Sequence, residues 1–110
     1  MFVVPPQLRI PHQLVGAHLG HNVTLECFTE AHPTSLNYWN KGDTQMLHDS
    51  KKYKSENEPG TPSFKMHMKL TIFNVSEEDL GKYKCIAKNP RGETDGTIRL
   101  YGKCHPSTIT

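Results

Sequence analysis

Apolar and polar residues alternate along most of this chain in short stretches, which is the period-two pattern of strands with one buried face. The clearest stretch runs from 65 to 73, where one face carries Met66, Met68, Leu70 and Ile72 and the other carries Lys65, His67, Lys69 and Thr71. Apolar residues nowhere keep a spacing of 3.6 over the length of a helix. The pattern therefore predicts an all-β fold.

Further strands are predicted on the same grounds at 7–10, 13–16, 22–29, 35–41, 82–88 and 93–101. The first two form one edge strand split by Pro11, because proline removes a ladder donor and is tolerated at edges. The last two pair as a hairpin around 89–92. Between 42 and 62 the pattern is weak and suggests only short edge pieces at 46–47 and 52–54. Ser76 begins a single helical turn that Gly81 ends.

Three cysteines occur, and no two lie close enough in sequence for a zinc ribbon or a redox motif. Cys27 and Cys85 each fall on the inward side of an alternating stretch, so their thiols can meet across a core. The bridge would stabilise the fold by about 4 kcal/mol in the chain-entropy model. Sequons at Asn22 and Asn74 add support for an oxidising, secreted context. We expect glycosylation at Asn22, which should face solvent, and not at Asn74, whose side chain we expect to bond the turn backbone at the end of a strand.

Length and composition bound the function. With 110 residues, 35% of them hydrophobic, the chain forms one domain, and a net charge of +2 does not favour nucleic acid as a partner. No apolar run reaches the length of a membrane span, and prolines break the first residues before a signal sequence develops. If the chain is extracellular, we expect it to be a piece of a longer precursor.

Cys27, then Trp39, then the run from Asp79 through Gly81 and Tyr83 to Cys85 resembles the signature of an immunoglobulin domain. The resemblance implies a two-sheet Greek-key sandwich of the I-set type over 7–101, with a linker over 1–6 and a flexible tail over 102–110. Tyr83 would bond back to the turn through its hydroxyl, and Trp39 would pack on the disulfide. The structural core and turn residues expected from the pattern are Leu25, Trp39, Leu70, Ile72, Asp79, Gly81 and Tyr83.

A closer resemblance runs through almost all of 4–101, at the segments 5–6, 10–17, 25–27, 35–39, 85–89 and 98–101. There the chain is similar to the third, membrane-proximal immunoglobulin domain of insect Dpr-interacting proteins, which are related to lachesin and the IgLON adhesion proteins. The resemblance implies a neuronal cell-surface protein whose first domain, absent here, binds Dpr-family partners. The spacer role alone carries over to this chain.

One position departs from the I-set pattern. Asn37 stands two residues before Trp39, where I-set domains place an apolar residue, and the apolar Leu36 is out of parity with the tryptophan. A β-bulge near Asn37 would bring Leu36 back to the core.

Catalytic, metal and small-molecule sites find no support, because the chain lacks a phosphate loop, a G-x-S-x-G elbow and an H-E-x-x-H motif. His18 and His21 could form a metal pair, but solvated surface histidines are the better interpretation. The acidic run at 77–79 is better explained as a solvated turn in which Asp79 pairs with a base such as Lys52. The lysines at 51, 52 and 54 could touch headgroups or glycans, but a solvated edge strand is favoured.

Three functions remain open. The first is a non-catalytic spacer module of an extracellular receptor on the plasma membrane, with no cofactor. The second is a homophilic adhesive domain that uses Tyr38, Ile86 and Tyr101 on one sheet face. The third is an intracellular sarcomeric I-set domain. We expect the isolated chain to be a monomer, or a dimer linked through Cys104, the odd thiol in the tail.

Overall fold

The computed structural model describes residues 5–60 and 64–103. They form nine strands and one short 3-10 helix. The strands are β1 (Gln7–Arg9), β2 (Leu14–Ala17), β3 (Val23–Glu30), β4 (Leu36–Lys41), β5 (Gln45–Met46), β6 (Tyr53–Pro59), β7 (Lys65–Ile72), β8 (Gly81–Asn89) and β9 (Gly92–Gly102), and the 3-10 helix spans Glu77–Asp79. The all-β prediction is confirmed.

The strands make two sheets. The four-stranded sheet has the order β1-β3-β7-β6, and the five-stranded sheet has the order β2-β9-β8-β4-β5. All pairs are antiparallel except β2 with β9, which are parallel from the pair Leu14 and Arg99 to the pair Ala17 and Gly102. The two halves of the split first strand both lie at edges, as predicted. They belong to different sheets, so the break at Pro11 carries the chain from one layer to the other.

The core lies between the sheets and takes its side chains from the alternating strands. The four-stranded sheet supplies Leu25, Cys27, Met68, Leu70 and Ile72, and the five-stranded sheet supplies Trp39, Tyr83, Cys85, Ile98 and Leu100. Each of these side chains is buried, and the residues between them on the same strands face outward. The single buried face of each strand is therefore the origin of the period-two pattern.

The expected β-bulge near Asn37 is wrong. Strand β4 pairs with β8 without interruption from the Leu36–Lys88 pair to the Lys41–Tyr83 pair, so Leu36 stays on the outer face and is 65% exposed. Asn37 takes the inward-side position, half-buried, and its side-chain oxygen accepts a hydrogen bond of 2.7 Å from the Ser35 hydroxyl. This local partner makes the polar residue tolerable there without a shift of register.

Strand β6 is longer than the short piece expected at 52–54. It pairs with β7 over seven residues, and six of its own residues are exposed. An edge strand exposed on both faces shows no alternation, so the pattern could not reveal it. The neighbouring loop covers part of its free edge, because the carboxylate of Asp49 accepts hydrogen bonds of 2.8 Å from the backbone and the hydroxyl of Ser55. Pro59 ends the strand without a free N–H group.

The register of β4 predicts a contrast between two leucines. We expect Leu36→Ala to change the free energy of unfolding by less than about 0.5 kcal/mol, because it removes surface side chain. The matched substitution Leu70→Ala should cost about 2 to 5 kcal/mol, because it leaves a cavity in the core. Urea unfolding of both variants measures the difference. A cost at Leu36 similar to that at Leu70 would contradict the outward orientation.

Candidate functional site: the stapled core, the two ends and the outer faces

The centre of the sandwich is held by a disulfide. Cys27 of β3 and Cys85 of β8 are bonded, with their Cα atoms 6.6 Å apart and a sequence separation of 58. Each cysteine lies in a different sheet, so the bond joins the two layers. Trp39 stands directly opposite Cys85 on the neighbouring strand and is almost completely buried in the same cluster.

A tyrosine fixes the turn that leads into β8. The hydroxyl of Tyr83 donates a 2.7 Å hydrogen bond to the backbone carbonyl of Asp79, at the end of the 3-10 helix. Gly81 lies between them with φ of 130°, a conformation that glycine adopts without a steric penalty. Burial raises the pKa of the Tyr83 hydroxyl, and the nearby Tyr53 and Asp79 raise it further, so the hydroxyl keeps its proton and remains a donor.

The carboxylate of Asp79 binds three donors although the residue is only 4% exposed. It forms an ion pair of 2.5 Å with Lys52, and it accepts hydrogen bonds from the backbone and the hydroxyl of Ser76 at 2.8 and 3.1 Å. Burial alone would raise the pKa of Asp79, but the contacts with Lys52 and Ser76 outweigh it and lower the pKa below its ordinary value. The predicted pairing with Lys52 is confirmed. The Lys52 side chain is thus paired with Asp79 and does not form one basic patch with Lys51 and Lys54.

The two sequon asparagines meet although 52 positions separate them in the sequence. The backbone N–H of Asn74 donates a 3.0 Å hydrogen bond to the side-chain oxygen of Asn22. We expected the side chain of Asn74 to bond the turn backbone; the structure instead gives this role to Asn22. Asn74 has φ of 51°, and its carbonyl accepts a 2.9 Å hydrogen bond from Lys52. Both asparagines are exposed.

An aromatic and charged row crosses the outer face of the four-stranded sheet. The rings of Phe28 and His67 stack at 4.2 Å, the guanidinium of Arg9 lies 4.5 Å from the centre of Phe28, and His67 contacts the Glu26 carboxylate at 3.1 Å. An open groove of about 530 Å³ runs beside this row and is also lined by Glu58. The strand patterns place each residue outward, but which of them are neighbours depends on the register of four strands.

The outer face of the five-stranded sheet does not present the three residues expected of an adhesive surface. Ile86 is only 4% exposed, so the prediction that it belongs to such a surface is wrong. Tyr38 is half-buried and Tyr101 is 47% exposed. Ile86 is covered because it lies between Tyr38 and Asp95 in the cross-strand row. Other apolar side chains of this sheet are exposed, namely Leu14 on β2, Leu36 on β4 and Met46 on β5. Strands β9 and β8 separate Leu14 from the other two.

Both ends of the described chain are hydrogen-bonded to the five-stranded sheet, one near the start of β9 and the other where β9 ends beside β2. The carbonyl of Pro6, a fully buried residue, accepts a 2.5 Å hydrogen bond from the Thr94 hydroxyl near the start of the strand. At the far end the N–H of Lys103 donates a 2.9 Å hydrogen bond to the carbonyl of Ala17. From Thr94 to Gly102 an extended strand covers about 26 Å. The chain thus enters at one end of the sandwich and leaves at the other.

Across 5–60 and 64–103 no three His, Cys, Asp or Glu side chains form a group that could hold a metal ion. The rings of His18 and His21 lie 5.7 Å apart. No helix in the described part of the chain is long and apolar enough to cross a bilayer. Cys104 and most of the predicted tail lie outside the described residues.

Residues 5–89 match the family model described as immunoglobulin domain. The chain is an immunoglobulin domain. Its relatives include contactin-3 of Rattus norvegicus (33% identical over 88 residues), contactin-1 of Gallus gallus (32% over 108 residues) and neural cell adhesion molecule 1 of Homo sapiens (35% over 101 residues). These alignments cover 80%, 97% and 88% of this chain, but only 8%, 10% and 11% of the respective relatives.

This immunoglobulin domain is also similar to domains of solved structures. A chain in the complex of Dpr2 Ig1-Ig2 with DIP-Theta Ig1-Ig3 is 45% identical with a TM-score of 0.85, over 91% of this domain and 33% of that chain. The titin I-band fragment I67-I69 is 30% identical with a TM-score of 0.77, over 91% and 33%. The fold is therefore an immunoglobulin-like sandwich of the I-set type, related to domains of neural adhesion proteins. Immunoglobulin domains of such proteins are typically non-catalytic.

The hydrogen bond of Tyr83 predicts a modest loss on removal of one oxygen. We expect Tyr83→Phe to retain the fold and to lower the free energy of unfolding by about 1 to 3 kcal/mol, because the Asp79 carbonyl loses its buried donor. Chemical denaturation measures the loss. Tyr101→Phe is the matched control on an exposed tyrosine and should be neutral. Equal effects of the two substitutions would contradict the role of the Tyr83 hydroxyl.

The lowered pKa of Asp79 predicts a pH-dependent contribution to stability. The carboxylate binds its donors when ionised, so its contribution is present above the unfolded pKa of about 4 and is lost as the pH falls through the lower folded pKa. We expect Asp79→Asn to cost about 1 to 3 kcal/mol at pH 7 and much less at about pH 2. Unfolding by urea at both pH values measures the two differences. A constant difference would show that the charge of Asp79 is not what stabilises the turn.

Proposed function

We propose that this domain is a non-catalytic, membrane-proximal spacer in a neuronal cell-surface recognition receptor. The observation that carries the proposal is the 45% identity with a chain of the Dpr2 and DIP-Theta complex. One domain of a three-domain chain makes up about a third of it, and the match covers 33% of that chain. Binding to immunoglobulin-superfamily partners would then belong to the distal domains of the full receptor.

The attachment of the two chain ends supports a spacer. Pro6 and Lys103 are hydrogen-bonded at opposite ends of the sandwich, so neighbouring segments would be held about 26 Å apart, the length of β9 from Thr94 to Gly102. Pro6 is buried and its carbonyl is bonded, so the start of the described chain is held against one end of the sandwich. A domain held at both ends in this way would set the distance between its neighbours.

The disulfide supports an extracellular location. A buried bond between Cys27 and Cys85 is typical of secreted and cell-surface domains, since the reducing cytosol keeps thiols free. This favours the receptor over the intracellular sarcomeric alternative, although titin domains share the fold. The surface supports the spacer over a directly adhesive domain, because Ile86 is buried and the exposed Leu14 and Leu36 lie on strands separated by β9 and β8.

The test exchanges this domain within the full-length receptor. Replacing it with an unrelated I-set domain of similar length should leave the Kd for the soluble partner within about twofold, because the partner contacts lie elsewhere. Adhesion between cells that carry the receptor and the partner should also persist. Deleting the domain should leave the Kd unchanged but weaken cell adhesion, because the recognition domains then sit closer to the membrane.

A variant with Leu36→Asp and Tyr101→Asp is the matched control for a direct contact. It keeps the core and changes two exposed side chains of the five-stranded sheet, so binding and adhesion should be unaffected. A tenfold rise in Kd on domain exchange, or loss of adhesion in the double variant, would contradict the spacer and favour a direct binding surface.

A further inference from the structure

The two sequons of the chain form one site on the surface. Asn22 precedes β3 and Asn74 follows β7, and the two strands pair from Val23 opposite Ile72 onward. This register brings the asparagines together, and the side-chain oxygen of Asn22 accepts the N–H of Asn74 at 3.0 Å. The site was not readable from the sequence, because it depends on a pairing between distant strands.

The hydrogen bond uses the one atom of the Asn22 amide that a glycan would leave unchanged. An N-linked glycan is attached to Nδ2, and Oδ1 remains an acceptor afterwards. With Oδ1 directed at the N–H of Asn74, Nδ2 is turned away from that group. Asn22 is exposed, and the alternation of β3 places it on the outer side with Thr24. Modification therefore costs the fold none of the hydrogen bonds described at this site.

Asn74 is more crowded than Asn22. The side chain of Asn22 lies against its N–H, and the side chain of Lys52 reaches its carbonyl at 2.9 Å. The next residue, Val75, is buried and forms two backbone hydrogen bonds with the turn of Gly20 and His21. A glycan here would share its space with those neighbours, and a chain glycosylated at both residues would have to place two sugars at one point where β3 meets β7.

We propose that Asn22 carries a single N-linked oligosaccharide and at the same time caps the backbone of Asn74, and that Asn74 stays unmodified. The site lies at the C-terminal end of the sandwich, since the adjoining turn follows Ala17, whose carbonyl is bonded to Lys103. If the spacer role holds, the glycan occupies the end of the domain that faces the membrane. This placement rests on the proposed function, whereas the modification does not.

The first experiment measures the site directly. The chain is secreted from eukaryotic cells behind a signal sequence, and its intact mass and peptide map are recorded before and after peptide-N-glycosidase treatment in 18O-labelled water. We expect the mass of one glycan and a labelled aspartate at position 22. Asn22→Gln should abolish the glycan, while Asn74→Gln and Thr24→Ser should retain it. Label at position 74, or an unglycosylated wild type, would overturn the proposal.

The second experiment separates the cap from the glycan. The glycosidase converts a glycosylated Asn22 to aspartate, so the treated wild type has the same polypeptide as the variant Asn22→Asp, which keeps an acceptor oxygen in place. We expect these two to share one Tm. Asn22→Gln carries a longer side chain, misplaces the acceptor and should melt about 4 to 8 °C lower, as expected for the loss of one hydrogen bond. A Tm of Asn22→Gln equal to that of Asn22→Asp would overturn the capping role.

Neither readout involves a partner or a second domain. A glycan at Asn22 in a receptor whose Kd rises on domain exchange would support this inference and contradict the spacer. An unmodified Asn22 in a receptor whose Kd is unchanged by the exchange would do the reverse. The two proposals therefore fail independently.

Discussion

The disulfide between Cys27 and Cys85 is the constraint on which the rest of this domain depends. Among the described strands, none of one sheet pairs with a strand of the other. A bond across 58 positions removes conformational freedom from the unfolded chain that would cost about 4 kcal/mol to lose on folding. That is a large share of the stability of a domain of this size. The disulfide also fixes the distance between the two sheets. Trp39, Leu25 and Leu70 pack in the space that this distance leaves between them.

The turn around Asp79, at the C-terminal end of the sandwich, is held in place through a residue close to the disulfide. Tyr83 stands two residues before Cys85 on β8, so its position is set by the disulfide, and its hydroxyl holds the carbonyl of Asp79. The carboxylate of the same residue binds Ser76 and Lys52, and Lys52 in turn binds the carbonyl of Asn74. Core, turn and sequon site are thus linked through consecutive contacts.

Much of the fold was predictable because its strands have one buried face. The bounds of β3, β7, β8 and β9 follow the alternation to within one or two residues, since burial of every second side chain leaves a direct mark on the sequence. Strand β6 left no such mark because it is exposed on both sides. At Leu36 the parity with Trp39 already predicted an outward side chain, and the error came from expecting the usual apolar residue at Asn37.

The parts of the candidate site that sequence could not reveal are those that depend on register. The stack of Arg9 on Phe28 and His67 requires three strands to be aligned, and the contact of Asn22 with Asn74 requires the correct pairing of β3 with β7. Single strands specify which face a residue occupies but not which residue stands beside it. The pairing of Asp79 with Lys52 was predicted for a solvated turn. The structure buries Asp79, which the sequence did not indicate, and a buried carboxylate requires such a base.

The surface of the domain is compatible with the proposed spacer role. Lys69 and Glu58 form an ion pair on the four-stranded sheet, and His67 contacts the Glu26 carboxylate on the same face. Such surface contacts contribute little energy but keep the face solvated. The edge of β6 is covered by Asp49 and ended by Pro59, which disfavours the addition of another strand. With a solvated face and a blunted edge, what distinguishes this domain is how its two ends are held. The bonds of Pro6 and Lys103 at the two ends of β9 are therefore the features through which it would act on its neighbours.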